Sequence, residues 1–404
     1  MKSTLVLVLL QAALTHCSPD HAGQQPLKLD TKTEPIPSSH YQPNDLSYTG
    51  PVSFSHLEYA RCLEDTSINY DVAILGMPFD TTVTYRPGAR FGPHGIRLGS
   101  RRHSGERGYT LAWGISPYDG IKAVDCGDIP LSAYDNLLAL DQMEVAYDTL
   151  LARPLASASE DSPGVFSSKS ALVAKDGLVH PKVVSLGGDH TIVLPILRSL
   201  YKIYGPVSVI HFDSHMDTSG TRNAPPSPVT HGSYFFVAHE EGLLINDTNV
   251  HAGIRSKMNV SITILPGDRK TVETDEYVGF MTISAEDIDD IGIAEVIKRI
   301  RDRVGTNPVY LTLDIDVIDP SIAPATGTPE VGGWTTREVK RVLRGLSGLN
   351  FVGADVVEVA PAYDNADITS IAAADIVHDF LGMMGSSEPP KPHAQRALKK
   401  SEEL

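Results

Sequence analysis

Cysteine is scarce in this chain, with three among 404 residues. Cys17 falls in the N-terminal segment described below, which leaves Cys62 and Cys126 and at most one intrachain bridge. A fold stapled by several disulfides is therefore excluded. Pairing of the two is allowed in a secreted chain. A plain buried thiol at Cys126, after Val124-Asp125, has at least equal standing. Basic residues are also short: 34 Lys and Arg stand against 50 Asp and Glu, a net charge of −16. That argues against nucleic acid as a partner and mildly favours a small cationic substrate. Long apolar runs are missing beyond the first residues, so no segment after them is suited to cross a bilayer. There is no Gly-x-Ser-x-Gly elbow and no P-loop, which leaves no signal for a serine nucleophile or a phosphate cradle. No internal repeat and no clear second domain is visible.

The N-terminus carries Lys2, then the apolar run Leu5-Val6-Leu7-Val8-Leu9-Leu10, then small or polar residues around Cys17-Ser18. This is the pattern of a secretory signal peptide, expected over residues 1–18. The mature protein is then expected in the secretory pathway, extracellular or vacuolar, with no membrane association after signal removal. Asn246-Asp247-Thr248 and Asn259-Val260-Ser261 place possible N-glycosylation at Asn246 and Asn259. Residues 19–52 read as a polar, Pro-rich extension, 53–385 as the catalytic domain and 386–404 as a flexible tail.

Short apolar runs near residues 71–77, 121–125, 182–186, 207–212, 249–253, 309–313 and 351–357 read as buried strands. Helical spacing covers residues 137–151, 191–204, 293–304 and 369–381. Thr335-Thr336-Arg337-Glu338 is a capping box opening a helix through residue 346. Residues 154–170 read as a surface insertion. Strands apolar on both faces and alternating with helices predict an α/β fold, a three-layer α/β/α arrangement around a central, mainly parallel sheet.

Three strand ends carry chemistry. They are Gly187-Gly188-Asp189-His190, Asp213-Ser214-His215-Met216-Asp217 and Asp314-Ile315-Asp316. In an open parallel sheet, ligands gather beyond the carboxyl ends of the strands. Four carboxylates and two imidazoles exceed the needs of one ion and suit two divalent ions side by side. The set lacks thiolate and favours Mn²⁺, with Zn²⁺, Ni²⁺ or Co²⁺ open. Two ions sharing carboxylates can bridge one water and lower its pKa. Alone, an Asp-x-Asp is usually a turn and an Asp-x-His-x-Asp a helix cap. Their recurrence at three strand ends is what favours a metal-activated hydrolase.

These motifs resemble those of the ureohydrolase family, which comprises arginase, agmatinase and related guanidino-acid hydrolases. The likeness extends to Tyr85-Arg86-Pro87-Gly88-Ala89-Arg90-Phe91-Gly92-Pro93 and Asp355-Val356-Val357-Glu358-Val359-Ala360-Pro361, and spans roughly residues 53–384. The resemblance implies hydrolysis of a guanidino group to urea plus an amine at two Mn²⁺ per subunit. It implies His190, Asp213, His215, Asp217, Asp314 and Asp316 as metal ligands, His231 as a proton shuttle and Glu358 as the guanidinium-binding carboxylate. Asp213, His231 and Glu358 are the residues expected to carry catalysis. It also implies a homo-oligomer, trimeric or hexameric. Chemically, an imidazole near neutral pKa can relay a proton to a leaving amine, and His239 is close enough in sequence to be an alternative to His231. A carboxylate matches the planar donor fork of a guanidinium, although a structural salt bridge is the plainer role for Glu358. Arg86 and Arg90 read as loop packing or pocket wall rather than substrate contacts.

Ser256 and Ser219 stand where the arginase pattern has Asp and Asn, so the pattern looks closer to agmatinase of the fungal type. Met216 is unusual between ligands. The Pro-rich loop 219–230 departs from the family and keeps guanidinobutyrate open as substrate, with Arg222 a candidate partner for its carboxylate. A catalytically silent paralogue and a one-metal zinc deacetylase are the competing classes.

Overall fold

The computed structural model describes residues 46–158, 174–220, 228–257 and 271–392. Eight strands form one sheet: β1 Val72–Met77, β2 Ala123–Asp128, β3 Lys182–Gly187, β4 Ser208–Phe212, β5 Asn249–Ile254, β6 Phe280–Ser284, β7 Pro308–Asp314 and β8 Asn350–Val357. The helices are α1 Gly92–Gly99, α2 Asn136–Leu151, α3 Val193–Tyr204, α4 Tyr234–Glu240, α5 Thr271–Val278, α6 Asp287–Asp290, α7 Ile293–Val304, α8 Thr336–Leu346 and α9 Ile368–Gly385. Strand order is β2-β1-β3-β8-β7-β4-β5-β6, and every paired strand runs parallel.

Strand alternation explains the layers. Val72, Ile74, Val184, Leu186, Ile210, Leu311 and Val356 share one core with α1, α7, α8 and α9. Their sequence neighbours Ala73, Leu75, Val183, Val209 and Tyr310 share the other core with α2, α3 and α4. Successive side chains point to opposite faces, so a strand buried on both sides feeds both cores and is apolar along most of its length. Burying a Val, Leu or Ile side chain contributes about 1.5–3 kcal/mol, so this double burial selects the parallel arrangement. Helix spacing answers it: α7 buries Val296, Ile300 and Val304 along one stripe. The Thr335–Glu338 capping box opens α8 as expected.

The seven expected strands and five expected helices all form, with ends shifted by a few residues. The edge strand β6 and the short helices α1, α4, α5 and α6 were not legible. Burial on β6 is broken by partly exposed Met281 and exposed Thr282. Helix α1 is laced with glycine and proline, which helix propensity disfavours. The start of the segment read as an insertion is docked instead: Leu155 is buried, and the Ser157 amide and hydroxyl donate to Asp71 Oδ1. Its residues 159–170 lie outside the described residues. Cys62 and Cys126 are joined, across a sequence separation of 64. Of the two readings of Cys126, the disulfide is therefore the one realised. Closing a loop of that length removes about 4 kcal/mol of chain entropy from the unfolded state in the loop-entropy account.

The site is placed by the centre of the sheet. Strands β3, β8, β7 and β4 are consecutive neighbours. The chain leaves β3 for β4 three positions away, and β7 and β8 later fill the two places between them. This reversal opens a crevice at the carboxyl ends of those four strands.

Candidate metal centre

All six expected ligands converge there. His190 follows β3, in a turn enabled by Gly188 with φ +41. A Cβ at Gly188 would lie 2.4 Å from the Met77 carbonyl oxygen, so glycine is required. The Gly188 carbonyl accepts the Glu358 amide at 2.8 Å, which ties the ends of β3 and β8 together. Asp213 follows β4, and Asp217 turns back with a left-handed φ of +56. Asp314 ends β7, and its Oδ1 accepts the Asp316 amide at 2.8 Å.

The ligand atoms fall into two groups that share Asp213. His190 Nδ1 faces Asp213 Oδ2 at 3.1 Å, Asp217 Oδ2 at 3.2 Å and Asp314 Oδ2 at 3.5 Å. His215 Nδ1 faces Asp213 Oδ1 at 3.2 Å and Asp316 Oδ2 at 3.1 Å. Asp213 therefore presents one oxygen to each group. His211, which the sequence reading treated only as part of a strand, also has its Nε2 close to the first group.

Whether these residues suit metal ions is decided at His190. Its Nε2 lies 2.8 Å from Thr312 Oγ1, and the Thr312 hydroxyl donates to Asp355 Oδ1 at 2.7 Å. A carboxylate only accepts, so the threonine proton is committed to Asp355. Thr312 Oγ1 must then accept from His190 Nε2–H. In the neutral ring Nδ1 is then left as a lone pair aimed at three carboxylates, and among the described residues it has no hydrogen-bond partner. A buried donor atom without a partner among three anionic oxygens fits a cation between them.

Electrostatics agrees. Burial and neighbouring carboxylates hold Asp314 well above the usual carboxylate range and also raise Asp217 and Asp316. Burial opposes the charged form of His215, yet Asp316 and Asp213 push it up to about 12. Asp213 runs the other way: burial opposes its ionisation, but His211, His190 and His215 hold it well below the usual range. Without metal, protons retained by Asp217, Asp314, Asp316, His190 and His215 offset the crowded charge. Raised pKa values mean that the folded state binds more protons than the unfolded one. Stability without metal is then greatest at low pH and falls as pH rises, from about 4 for the carboxyls and from about 6.5 for the imidazoles. Divalent ions displace those protons. The rise in Tm on adding Mn²⁺ should therefore grow between pH 6 and 8.5 in thermal melts. A shift independent of pH would contradict this.

Beside the ligands, Glu358 sits in a left-handed conformation with φ +61 and is fully buried. Such backbone in a non-glycine residue costs about 1–3 kcal/mol and marks a position where the side-chain direction matters. Its Oε1 is 3.0 Å from His231 Nδ1 and accepts the His190 amide at 3.0 Å. Its Oε2 is buried and has no hydrogen-bond partner among the described residues. His231 Nε2 accepts the Thr84 amide at 3.1 Å, so in the neutral ring the proton lies on Nδ1 and is donated to Glu358. His231, not His239, thus adjoins the site. His239 packs its ring against Tyr277 at 4.7 Å.

A cavity of about 290 Å³ opens over these groups, lined in part by Met216, Asp217, Ser219, His231, Ser256 and Lys257. Arg90 is held by Asp80 at 2.5 Å, and Arg86 lies over the Tyr85 and Tyr363 rings, so both arginines serve the fold. Arg222 lies outside the described residues. The sequence reading missed Thr84, Thr312, Asp355, His251 and Asp275. The available signal was a polar residue inside an otherwise apolar strand, as at His211, His251, Thr312 and Asp355.

Comparison with known proteins is decisive at this point. The profile of the Arginase family matches residues 70–382. The chain belongs to the arginase family. A Schizosaccharomyces pombe protein named "Putative agmatinase 1" is 48% identical over 91% of each chain. The agmatinase of Chromobacterium violaceum is 35% identical, over 84% of this chain and 90% of its own. Among solved structures, the proclavaminate amidino hydrolase of Streptomyces clavuligerus matches with TM-score 0.69 at 30% identity, over 85% of this chain and 100% of its own. A hypothetical agmatinase from Burkholderia thailandensis gives TM-score 0.68 at 33% identity, over 84% of this chain and 91% of its own. This arginase-family chain is accordingly a ureohydrolase-type enzyme, and the zinc-deacetylase reading falls away.

Proposed function

We propose that the chain hydrolyses agmatine to putrescine and urea with two Mn²⁺ held by His190, Asp213, His215, Asp217, Asp314 and Asp316. The observation that carries this reading is the unpartnered Glu358 Oε2, buried one hydrogen bond from His231 and beside the ligand cluster. A guanidinium N–H supplies the missing donor in a charge-assisted bond. Bound divalent ions contribute Lewis acidity and lower the pKa of water toward neutrality. Glu358 holds the guanidinium plane against the cluster. His231, fixed through both ring nitrogens, is positioned to pass a proton to the departing amine. The donor set without thiolate suits Mn²⁺. Agmatine is favoured by the names of the relatives and by Ser219 and Ser256, which offer no carboxylate for an α-ammonium.

One observation favours a second reading. Lys257 lies on the cavity wall and pairs with Glu330 at 3.2 Å. A cation there suits a carboxylate tail, as in guanidinobutyrate. The deciding assay is urea release from agmatine, arginine and guanidinobutyrate in parallel by Mn²⁺-loaded protein. Urea from none of the three would point to another amidine substrate or to a silent paralogue. If guanidinobutyrate is turned over, Lys257→Ala should raise its KM by up to about fivefold, the range of an exposed ion pair. If agmatine is the substrate, the same variant should leave KM unchanged or lower it.

Secretion is proposed as well. The signal segment 1–18 lies outside the described residues, as does Asn259. The Cys62–Cys126 bridge supports an oxidising compartment, and Asn246 is exposed for glycosylation. N-terminal sequencing of the mature protein tests the cleavage. The trimer or hexamer implied by the family is tested by sedimentation.

A further inference from the structure

Behind the ligand cluster lies a buried polar chain with no part in the reading above. His211 on β4 and His251 on β5 are register partners in the sheet and are fully buried. His211 Nε2 lies 2.8 Å from Asp213 Oδ2, and His211 Nδ1 lies 2.7 Å from His251 Nδ1. His251 Nε2 reaches Asp275 Oδ1 on α5 at 2.9 Å. Asp275 is itself 4% exposed. The chain does not end there. Thr218 Oγ1 donates to the same Asp275 Oδ1 at 3.1 Å, and Thr218 follows Asp217 directly.

The contacts therefore form a ring. It runs from Asp213 through His211 and His251 to Asp275, across to Thr218, and back along the backbone through Asp217 and His215 to Asp213. Three candidate ligands lie on the backbone arc of that ring. Asp275 closes both of its ends. Aromatic packing removes other freedom from the two imidazoles: Phe280 stacks on His251 at 3.9 Å, and Phe235 meets His211 edge-on at 4.9 Å. A carboxylate only accepts, so Asp275 fixes the direction of the His251 Nε2–H and Thr218 O–H bonds. Buried polar groups are costly unless partnered, so the ring resists displacement of its members. The segment it pins needs pinning, since Asp217 sits in the left-handed region, which non-glycine residues avoid.

We propose that Asp275 is a positioning residue for the metal centre, holding Asp213 through His251 and His211, and Asp217 through Thr218. This rests on the metal-centre reading above. Loss of hydrogen-bonded support behind metal ligands typically lowers metal affinity about 10–100-fold.

The test is Mn²⁺ titration by calorimetry on metal-stripped full-length protein, with metal content per folded chain measured alongside. Asp275→Ala should weaken Mn²⁺ binding by at least about tenfold. Asp275→Asn, whose amide oxygen can still accept from both donors, should recover most of that loss. Thr218→Val removes one tie at nearly constant volume and should weaken binding to a lesser extent. A merely structural role would lower the Tm of the metal-free protein without this graded order of affinities. If Asp275→Ala does not fold, Thr218→Val and Asp275→Asn decide. Wild-type affinity in folded Asp275→Ala, or in Thr218→Val where the alanine variant does not fold, overturns the proposal. Failure of the wild-type chain to bind Mn²⁺ would overturn the metal reading itself, a separate outcome.

Discussion

Asp213→Asn is expected to reduce urea release by more than about 100-fold, beyond the losses typical of groups that only support a ligand. The reason is that Asp213 serves both ligand groups, presenting Oδ2 to His190 and Oδ1 to His215. An amide keeps one acceptor oxygen and sets an NH₂ against the other group, so one site or the other loses a donor atom and a negative charge. The fold should survive, because the side chain keeps its size and one acceptor oxygen. Asp316→Asn differs instructively. Its Oδ1 accepts the Ser214 amide and hydroxyl at 3.1 Å and 2.8 Å, which leaves Oδ2 for the His215 group alone. That variant should retain about one ion per chain where the wild type retains two. Metal content and circular dichroism, measured with the activity, check both. Full activity in either variant at saturating Mn²⁺ would remove that residue from the site.

Glu358→Gln is the second large effect. Oε1 receives two N–H groups, from His231 and His190, and Oε2 receives none among the described residues. Glutamine has only poor choices. Its NH₂ can meet the two donors at Oε1, or it can meet the arriving guanidinium at Oε2. Either orientation leaves a buried donor facing donors, and truncating a buried charged pair costs about 2–5 kcal/mol. A fall in kcat/KM of about 100-fold, or about 2.7 kcal/mol, is expected, with KM rising and metal content unchanged. Unaltered kcat/KM would leave Glu358 the structural ion pair that is its plainer reading.

Much of this was legible before any coordinates. The candidate ligand positions were readable because each cluster sits at the end of an apolar run, and a fully buried strand leaves few other places for clustered carboxylates. His231 was less secure: a lone histidine in a loop has many uses, and only its contacts with Glu358 and Thr84 separate it from His239. The disulfide was undecidable in principle, since two cysteines 64 apart in sequence carry no information on the 5.2 Å between their Cα atoms. Short elements such as α4 and α5 escaped because tertiary burial, rather than propensity, sustains helices of so few turns.

The sequence by itself determined the period of its hydrophobic residues, and with it the parallel sheet and the helices on both faces. It also determined which candidate ligands stand at the strand ends and their chemical type. Strand order, and therefore which strand ends become neighbours, belonged to the tertiary structure. So did the division of the ligands into two groups around Asp213, the lone pair left on His190 Nδ1 and the ring closed by Asp275. The physical reason is the range of the forces. Hydrophobic period and turn chemistry act between near neighbours in the chain. A shared carboxylate or a histidine tautomer is fixed by hydrogen bonds between residues far apart in sequence, such as His190 and Thr312, and these exist only once the sheet has brought them together.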